Sequence, residues 1–172
     1  MILEYPNRKK NRLESHDYSK NGAYFITICT KDKKCILARI VGGGVLDAPA
    51  TQLLPSGAAA ENRIREMNRV YPNVQTVKYA IMPNHIHLLI HIAWDETCSA
   101  AGTSRTPSPT NGIIPQYVST FKRLCNRQMG VNLWQRSYHD RIIRNDAEYD
   151  MIWQYIDTNP LRWEMDCFYT EE

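Results

Sequence analysis

The chain has 172 residues, of which 43% are hydrophobic, enough to bury one sizeable core, and we expect a single domain over 1–172. No apolar run approaches the roughly 18 residues that cross a bilayer, and the charged segment 1–12 lacks the hydrophobic stretch of a secretory signal, so we expect a cytoplasmic protein without membrane contact. Five cysteines without a C-x-x-C pair favour free thiols, and a formal net charge of +3 is too small to indicate a nucleic-acid binder.

The first third of the chain predicts two strands and a helix. Asn21-Gly22 is a turn signal before a β-rich run whose apolar residues do not alternate with polar ones, which favours a central strand. Ser56 is expected to cap a helix that Pro72 ends. The expected elements are a strand over 23–30, a short strand over 35–41, a loop over 42–55 and a helix over 57–70. The helix is expected to bury Ala60, Ile64, Met67 and Val70.

The middle of the chain contains its most β-branched segment, 80–92, which follows an extended stretch over 74–79. Pro83-Asn84 interrupts the hydrogen-bonded ladder within this segment. Residues 93–112 are rich in Ser, Thr, Ala, Gly and Pro and show no periodicity. We therefore expect a surface excursion there, with little function.

The last third of the chain predicts helix, extended segment and helix. An amphipathic, basic helix is expected from Ile114, with Gly130 as its C-cap, and 133–144 is expected to be extended. Asn145 or Asp146 then caps a last helix that ends before Pro160. Strands and helices interleave around one sheet, which predicts an α/β sandwich.

Two histidines carry the clearest metal-binding signal. His85 and His87 are two residues apart, so in a strand both imidazoles project from the same face and can bind one cation. Ile86 and Leu88 would then point into the core. His91 lies on the same face by parity, and we expect it to be structural or to face DNA.

Tyr155 and Asn159 form the second part of the candidate site. They are four residues apart in the last predicted helix, so both face one side of it. A phenol becomes a useful nucleophile when a cation polarises a phosphate, and the Asn159 carbonyl oxygen is a suitable third ligand for a hard ion. The competing tyrosines are Tyr117, Tyr138, Tyr149 and Tyr169.

Charge is unevenly distributed along the chain. Residues 113–145 carry six cations against one anion, whereas 146–172 carry eight acids against one arginine. The basic segment is suited to contacting phosphates without reading sequence. The candidate DNA-contacting residues are Lys122, Arg123, Arg127, Arg136 and Arg141.

Three separated runs resemble a known family. Met82-Pro-Asn-His-Ile-His-Leu-Leu89, Leu133-Trp-Gln-Arg-Ser-Tyr-His-Asp-Arg-Ile-Ile-Arg-Asn145 and Tyr155-Ile-Asp-Thr-Asn-Pro160 occur in the order found in the HUH single-tyrosine transposases. Within that family the chain most resembles the REP-associated tyrosine transposases, and Asn21 to Lys33 is similar to their first strand.

The resemblance implies a fold, a site and a reaction. The fold is a sandwich like the RNA-recognition motif, with helices packed on a ferredoxin-like antiparallel sheet. His85 and His87 would bind Mg²⁺ or Mn²⁺, Tyr155 would be the nucleophile, and Asn159 occupies the position of a Gln, Asn or acidic third ligand in relatives. The implied reaction cleaves and rejoins single-stranded, hairpin-associated DNA through a 5′-phosphotyrosine, without a nucleotide cofactor and usually in a homodimer.

Two other classes remain open at this stage. A histidine-based phosphohydrolase is one, although H-x-H-x-x-x-H over 85–91 departs from an evenly alternating triad and no glycine-rich phosphate loop accompanies it. A catalytically silent DNA-binding repressor on the same scaffold is the other. The sequence also leaves open whether Tyr155 acts on the histidines of its own subunit or of a partner.

Overall fold

The structure, a computed structural model, describes residues 21–42, 49–93 and 112–170. Its strands are β1 (Gly22–Cys29), β2 (Ala38–Val41), β3 (Ala50–Leu53), β4 (Val74–Ile81), β5 (His85–Ile92) and β6 (His139–Ile143). Its α-helices are α1 (Pro55–Val70), α2 (Ile113–Met129) and α3 (Asp146–Thr158), and 3-10 helices cover Lys31–Lys33 and Pro160–Met165. No helix in these ranges is both long and apolar enough to cross a membrane.

Four strands form the main sheet in the order β4-β5-β1-β6, and every pair is antiparallel. With α1 between β1 and β4 and α2 between β5 and β6, this is the ferredoxin-like arrangement. The predicted antiparallel sheet with helices packed on it is confirmed, and β1 is a central strand as expected. β2 and β3 pair with each other as a separate two-stranded sheet.

Helices α1 and α2 cover one face of the main sheet. Alternate residues of the two central strands point towards them, including Ile26 opposite Leu88 and Ile28 opposite Ile86. The predicted inward positions of α1 are buried except Val70, the last residue of the helix, which is 51% exposed. At the end of α2, Gly130 adopts the left-handed conformation expected of a C-cap (φ +69°).

Three other sequence predictions need correction. The stretch predicted as a loop over 42–55 contains β3, whose short run pairs only with β2 and shows no strong alternation. Helix α1 starts at Pro55, a residue suited to a first turn because it lacks an N–H, so Ser56 lies inside the helix and does not cap it. Of the extended segment 133–144, only β6 joins the sheet, apart from an isolated bridge between Thr30 and Trp134.

The segment 80–92 is divided between two strands. β4 ends at Ile81, and Pro83-Asn84 forms the connection to β5, so His85 is the first residue of its strand. The interruption expected at Pro83-Asn84 is therefore present, and it places the histidine pair at the start of a strand. Most of the predicted excursion, residues 94–111, lies outside the described residues.

Candidate active site

Helix α3 packs on the other face of the main sheet. Its buried residues Ile152 and Ile156 contact Met82 and Leu89, and the helix lies mainly over β4 and β5. Asn145 caps it as predicted, since the Asn145 side chain accepts a hydrogen bond from the Glu148 amide. The two faces of the sheet therefore have different partners, and the candidate site lies on the α3 face.

The two histidine rings converge on this face. His85 and His87 alternate with Ile86, which points to the opposite core, and their Nε2 atoms are 3.0 Å apart. Both side chains are almost completely buried, at 0% and 1% exposure. The structure thus brings together the two imidazoles that the spacing placed on one face.

A second hydrogen bond fixes each ring. His85 Nδ1 lies 2.9 Å from Asn84 Oδ1, and His87 Nδ1 lies 2.9 Å from Thr27 Oγ1. Because the Asn84 amide nitrogen donates to the Phe168 carbonyl, its oxygen is left as an acceptor, so His85 donates from Nδ1 and keeps a lone pair on Nε2. Partners of this kind orient the histidines of metal sites.

Asp166 is a site residue that sequence reasoning missed. It follows the 3-10 helix Pro160–Met165, and its Oδ2 lies 4.0 Å from His85 Nε2. Ligand atoms of His85, His87 and Asp166 all lie within 4.8 Å of one another. In the sequence, Asp166 is one of eight acids in 146–172, and nothing distinguishes it from the others.

Asn159 lies beside Asp166. Its side chain is buried, and its Nδ2 donates to Asp166 Oδ2 at 3.0 Å. Asn159 Oδ1 is also buried and has no hydrogen-bond partner among the described residues. A buried acceptor without a partner is costly, so this oxygen is available to a ligand.

The donor set fits a divalent cation. Two neutral imidazole nitrogens and a carboxylate oxygen are suitable ligands, and an octahedral ion with bonds of about 2.1 Å has adjacent ligands about 3 Å apart, which matches the Nε2 separation of 3.0 Å. If the Thr27 hydroxyl accepts a hydrogen bond from His87 Nδ1, then the Nε2 atoms of His85 and His87 both carry lone pairs, and these lone pairs repel each other at 3.0 Å. A cation bound between the two Nε2 atoms removes the repulsion.

Burial keeps both imidazoles neutral. Desolvation lowers the pKa of His85 from 6.5 to about 4, opposed in part by the Asp166 carboxylate. Burial also lowers the pKa of His87 well below its usual value, and the neighbouring His85 acts in the same direction. Neutral imidazoles bind metal without first losing a proton, so the pair is ready to bind near neutral pH.

The metal-free protein should lose stability as the pH falls from 7 to 5. The His85 pKa is lower in the folded chain than in the unfolded one. Neutral His85 therefore contributes fully to the free energy of unfolding above about pH 6.5, and this contribution decreases towards pH 4. For His85 alone the loss between pH 7 and pH 5 is about 2 kcal/mol. Urea unfolding in EDTA at several pH values measures it, with His85→Gln expected to flatten the dependence; a flat wild-type curve would contradict the prediction.

Tyr155 completes the site within a single chain. Its hydroxyl donates to Asp166 Oδ2 at 3.1 Å and lies 3.3 Å from His87 Nε2. The ring contacts Phe25 edge-on, yet the residue remains 38% exposed. Burial, followed by the Asp166 carboxylate, raises the pKa of Tyr155 above its ordinary value, so the phenol stays protonated until a cation or a base changes its surroundings.

The other candidate residues on this face lie away from the histidine pair. The His91 ring packs against Tyr149, with ring centres 5.5 Å apart, and His91 does not belong to the His85, His87 and Asp166 group. Tyr149 in turn stacks on Trp153. Tyr117 is buried in the opposite core. Tyr155, unlike Tyr117 and Tyr149, has its hydroxyl beside His87 Nε2.

The five predicted DNA-contacting residues differ in their location and exposure. Arg123 and Arg127 are exposed on α2, on the face of the sheet opposite to the histidines, and Arg136 is exposed in the connection before β6. Arg141 lies on the α3 face, opposite Phe25, and pairs with Glu148. Lys122 is half-buried and donates to the main-chain carbonyls of Gln135 (2.7 Å) and Ser137 (2.8 Å).

Lys122→Ala should therefore reduce stability. Burial lowers the pKa of this ammonium to about 8, and its removal leaves two carbonyls without their donor, at a cost of about 1–3 kcal/mol. The matched variant Arg123→Ala, at the neighbouring exposed position, should change stability by less than about 0.5 kcal/mol. Urea unfolding compares the two; equal stabilities would show that the Lys122 contacts contribute nothing.

The segment after Asp166 packs over the histidines. The Phe168 ring lies 4.7 Å from the His85 ring, and its main-chain carbonyl accepts a hydrogen bond from the Asn84 side chain at 2.8 Å. Asn84 also contacts the Thr170 hydroxyl at 3.3 Å. This explains why the imidazoles are buried although they belong to a face that helix α3 covers only in part.

Comparison with known proteins finds relatives both by sequence and by structure. An uncharacterized protein of Haemophilus influenzae is 30% identical over 96% of this chain and 94% of its own length. A putative REP-associated tyrosine transposase of the same organism is 24% identical over 85% of this chain and 74% of its own length. No family model matches the chain.

One structural relative is a REP-associated tyrosine transposase bound to a REP hairpin. It superposes with a TM-score of 0.55 over 88% of this chain and 74% of its own, at 18% identity. This likeness supports the fold described above.

Proposed function

We propose that the chain is an HUH single-tyrosine enzyme similar to the REP-associated tyrosine transposases, and that it cleaves and rejoins single-stranded DNA through Tyr155; its sequence relatives and its fold support this proposal. The product of cleavage is a 5′-phosphate joined to the Tyr155 oxygen and a free 3′-hydroxyl. The observation that carries this proposal is the position of the Tyr155 hydroxyl, within 3.3 Å of His87 Nε2 and 3.1 Å of Asp166 Oδ2.

Tyr155 attacks the scissile phosphorus in line with the bond to the 3′-oxygen. The new bond joins the Tyr155 oxygen to phosphorus, the bond from phosphorus to the 3′-oxygen breaks, and the 3′-oxygen takes a proton. Asp166 Oδ2 already accepts the hydrogen bond of the phenol, so it is the group that removes the phenolic proton. Joining reverses these events when a 3′-hydroxyl attacks the phosphotyrosine.

His85, His87 and Asp166 would hold a divalent cation, Mg²⁺ or Mn²⁺, and Asn159 Oδ1, which has no hydrogen-bond partner among the described residues, would supply a further ligand. The ion, when bound, polarises and positions the scissile phosphate. The protein's own contribution is orientation: Asn84 and Thr27 fix the two rings, and Asn159 holds the Asp166 carboxylate. Burial of the imidazoles keeps them unprotonated and available.

The substrate class that we propose is hairpin-forming DNA with a single-stranded extension. The structural relative is bound to a hairpin, and this chain carries exposed arginines on α2 and before β6 that suit phosphate contacts, namely Arg123, Arg127 and Arg136. Two copies are proposed to form a homodimer. Since Tyr155 reaches the histidines of its own chain, such a dimer does not need to exchange tyrosines.

The test is covalent capture. Purified protein is incubated with Mn²⁺ and a pool of oligonucleotides in which a hairpin is flanked by single-stranded arms of random sequence. After denaturation, protein that retains DNA is isolated, the DNA is sequenced, and the modified peptide is identified by mass spectrometry. We expect a 5′-phosphate on Tyr155 and a shared sequence next to the point of cleavage.

Each other outcome favours a different function. Retention of hairpins without cleavage or adduct, in Mg²⁺ and in Mn²⁺, would indicate the DNA-binding repressor. An adduct on another tyrosine would refute the assignment of Tyr155. Release of phosphate from nucleotides without an adduct would indicate the phosphohydrolase, although His91 does not belong to the group of His85, His87 and Asp166, which argues against a histidine triad.

A further inference from the structure

Helix α3 lies mainly over β4 and β5, so it leaves the β1 and β6 half of this face uncovered, where Phe168 lies between His87 and His139. Helix α3 covers the other half of this face, where its residue Trp153 packs under the Lys78 ammonium of β4, 4.0 Å from the ring centre, and Asp157 pairs with Lys78. Tyr155 projects from the opposite flank of α3 and contacts Phe25 of β1. A phosphate that approaches the phenol therefore arrives from the side of β1 and β6.

His139 is the site-facing residue of β6 nearest to the histidine pair. Thr27 of β1 pairs with His87 on one side and with His139 on the other, so the three residues form one row across the sheet. Neighbouring strands are about 4.8 Å apart, and paired residues project from the same face. His139 thus lies two strands from His87 and is exposed.

Phe168 connects His139 with the buried pair. Its ring centre lies 6.2 Å from that of His139 and 6.3 Å from that of His87. His139 is therefore close to the site without belonging to the group of possible metal ligands, which contains His85, His87 and Asp166 among the described residues. Since His139 is exposed, its imidazole is accessible from solvent.

We infer that His139 is a substrate-contacting residue of this site, whose imidazole N–H donates a hydrogen bond to an oxygen of the scissile phosphate. The inference rests on the proposed function and adds a residue to it. Arg141 lies two residues further along β6 on the same face; its guanidinium pairs with Glu148, and its remaining N–H groups contact the next phosphate of the strand. The single strand then enters the site across β6, the edge strand of the sheet.

Two variants separate a hydrogen bond from packing. His139→Phe keeps an aromatic ring against Phe168 but has no donor, whereas His139→Gln keeps an N–H donor without the ring. Hydrogen bonds to charged groups are strong, so the rate of adduct formation should fall about 10- to 100-fold in His139→Phe. His139→Gln should recover most of this loss; equal rates for wild type and His139→Phe would overturn the inference.

A binding measurement tests the contact between His139 and phosphate independently of cleavage. In the presence of Mg²⁺, the phosphodiester thymidylyl-(3′→5′)-thymidine is titrated into the protein while the imidazole resonance of His139 is followed by NMR. We expect a shift that the uncharged methylphosphonate analogue does not produce. If neither compound shifts the resonance, His139 does not contact phosphate. If the phosphodiester shifts it but the wild type forms no adduct, the proposed function fails and the His139 contact stands.

Discussion

Tyr155→Phe is expected to abolish the covalent DNA adduct and to reduce cleavage by a factor on the order of a thousand or more, because the phenylalanine ring has no oxygen to attack phosphorus. The change removes only a partly exposed hydroxyl with contacts to His87 and Asp166, so the chain should fold normally. Adduct formation is measured on denaturing gels with the oligonucleotide recovered by covalent capture.

Tyr149→Phe is the matched control. Tyr149 lies on the same helix and the same face of the sheet, but its ring packs on His91 and Trp153, away from the histidine pair. Its loss of a hydroxyl should change the rate by less than about threefold, equivalent to less than 1 kcal/mol. If Tyr155→Phe still forms adducts at the wild-type rate, Tyr155 is not the nucleophile.

Local periodicity explains which parts of the site were predictable. Side chains at i and i+2 of a strand share a face, so the convergence of His85 and His87 follows once β5 is recognised. Tyr155 and Asn159 follow in the same way from the helical repeat of α3. Both inferences require only the conformation of a few consecutive residues.

The positions of Asp166 and Thr27 beside the histidines could not be predicted from local periodicity. The Asp166 carboxylate reaches the site because the 3-10 helix Pro160–Met165 reverses the chain after α3, and a six-residue helix with a kink at Arg162 has no clear sequence signature. Thr27 meets His87 through strand pairing across 60 residues. The two-residue period of a strand divides the residues of β1 between two faces, but it does not fix the register against β5.

The fold shows the same division between local and long-range information. The helix caps at Asn145 and Gly130 were predicted correctly because capping depends on a few neighbouring residues. Lys122 was predicted as a DNA-contacting residue from the charge pattern of α2, but the carbonyls that it reaches belong to a connection more than ten residues away. A sequence pattern cannot distinguish a lysine that contacts solvent from one that anchors a loop.

The second large effect concerns metal affinity. His87→Ala removes an imidazole nitrogen from the group formed with His85 and Asp166, and it also removes the neighbour of the Tyr155 hydroxyl. Mutation of groups that only support metal ligands typically reduces affinity 10- to 100-fold, so the loss of a ligand should reduce Mn²⁺ affinity by about 100-fold or more. Titration of the protein with Mn²⁺ by electron paramagnetic resonance measures the free ion directly.

Asp166→Asn tests whether the carboxylate is a ligand or only a hydrogen-bond acceptor. Asparagine retains an oxygen that can accept from Tyr155 and Asn159, but it has no negative charge to attract a hard cation. Mn²⁺ affinity should therefore fall in Asp166→Asn, whereas His91→Ala, which alters a histidine outside the group, should leave it unchanged. If Asp166→Asn binds Mn²⁺ as well as the wild type, then the ion is held by His85, His87 and Asn159, and Asp166 acts only on the phenol.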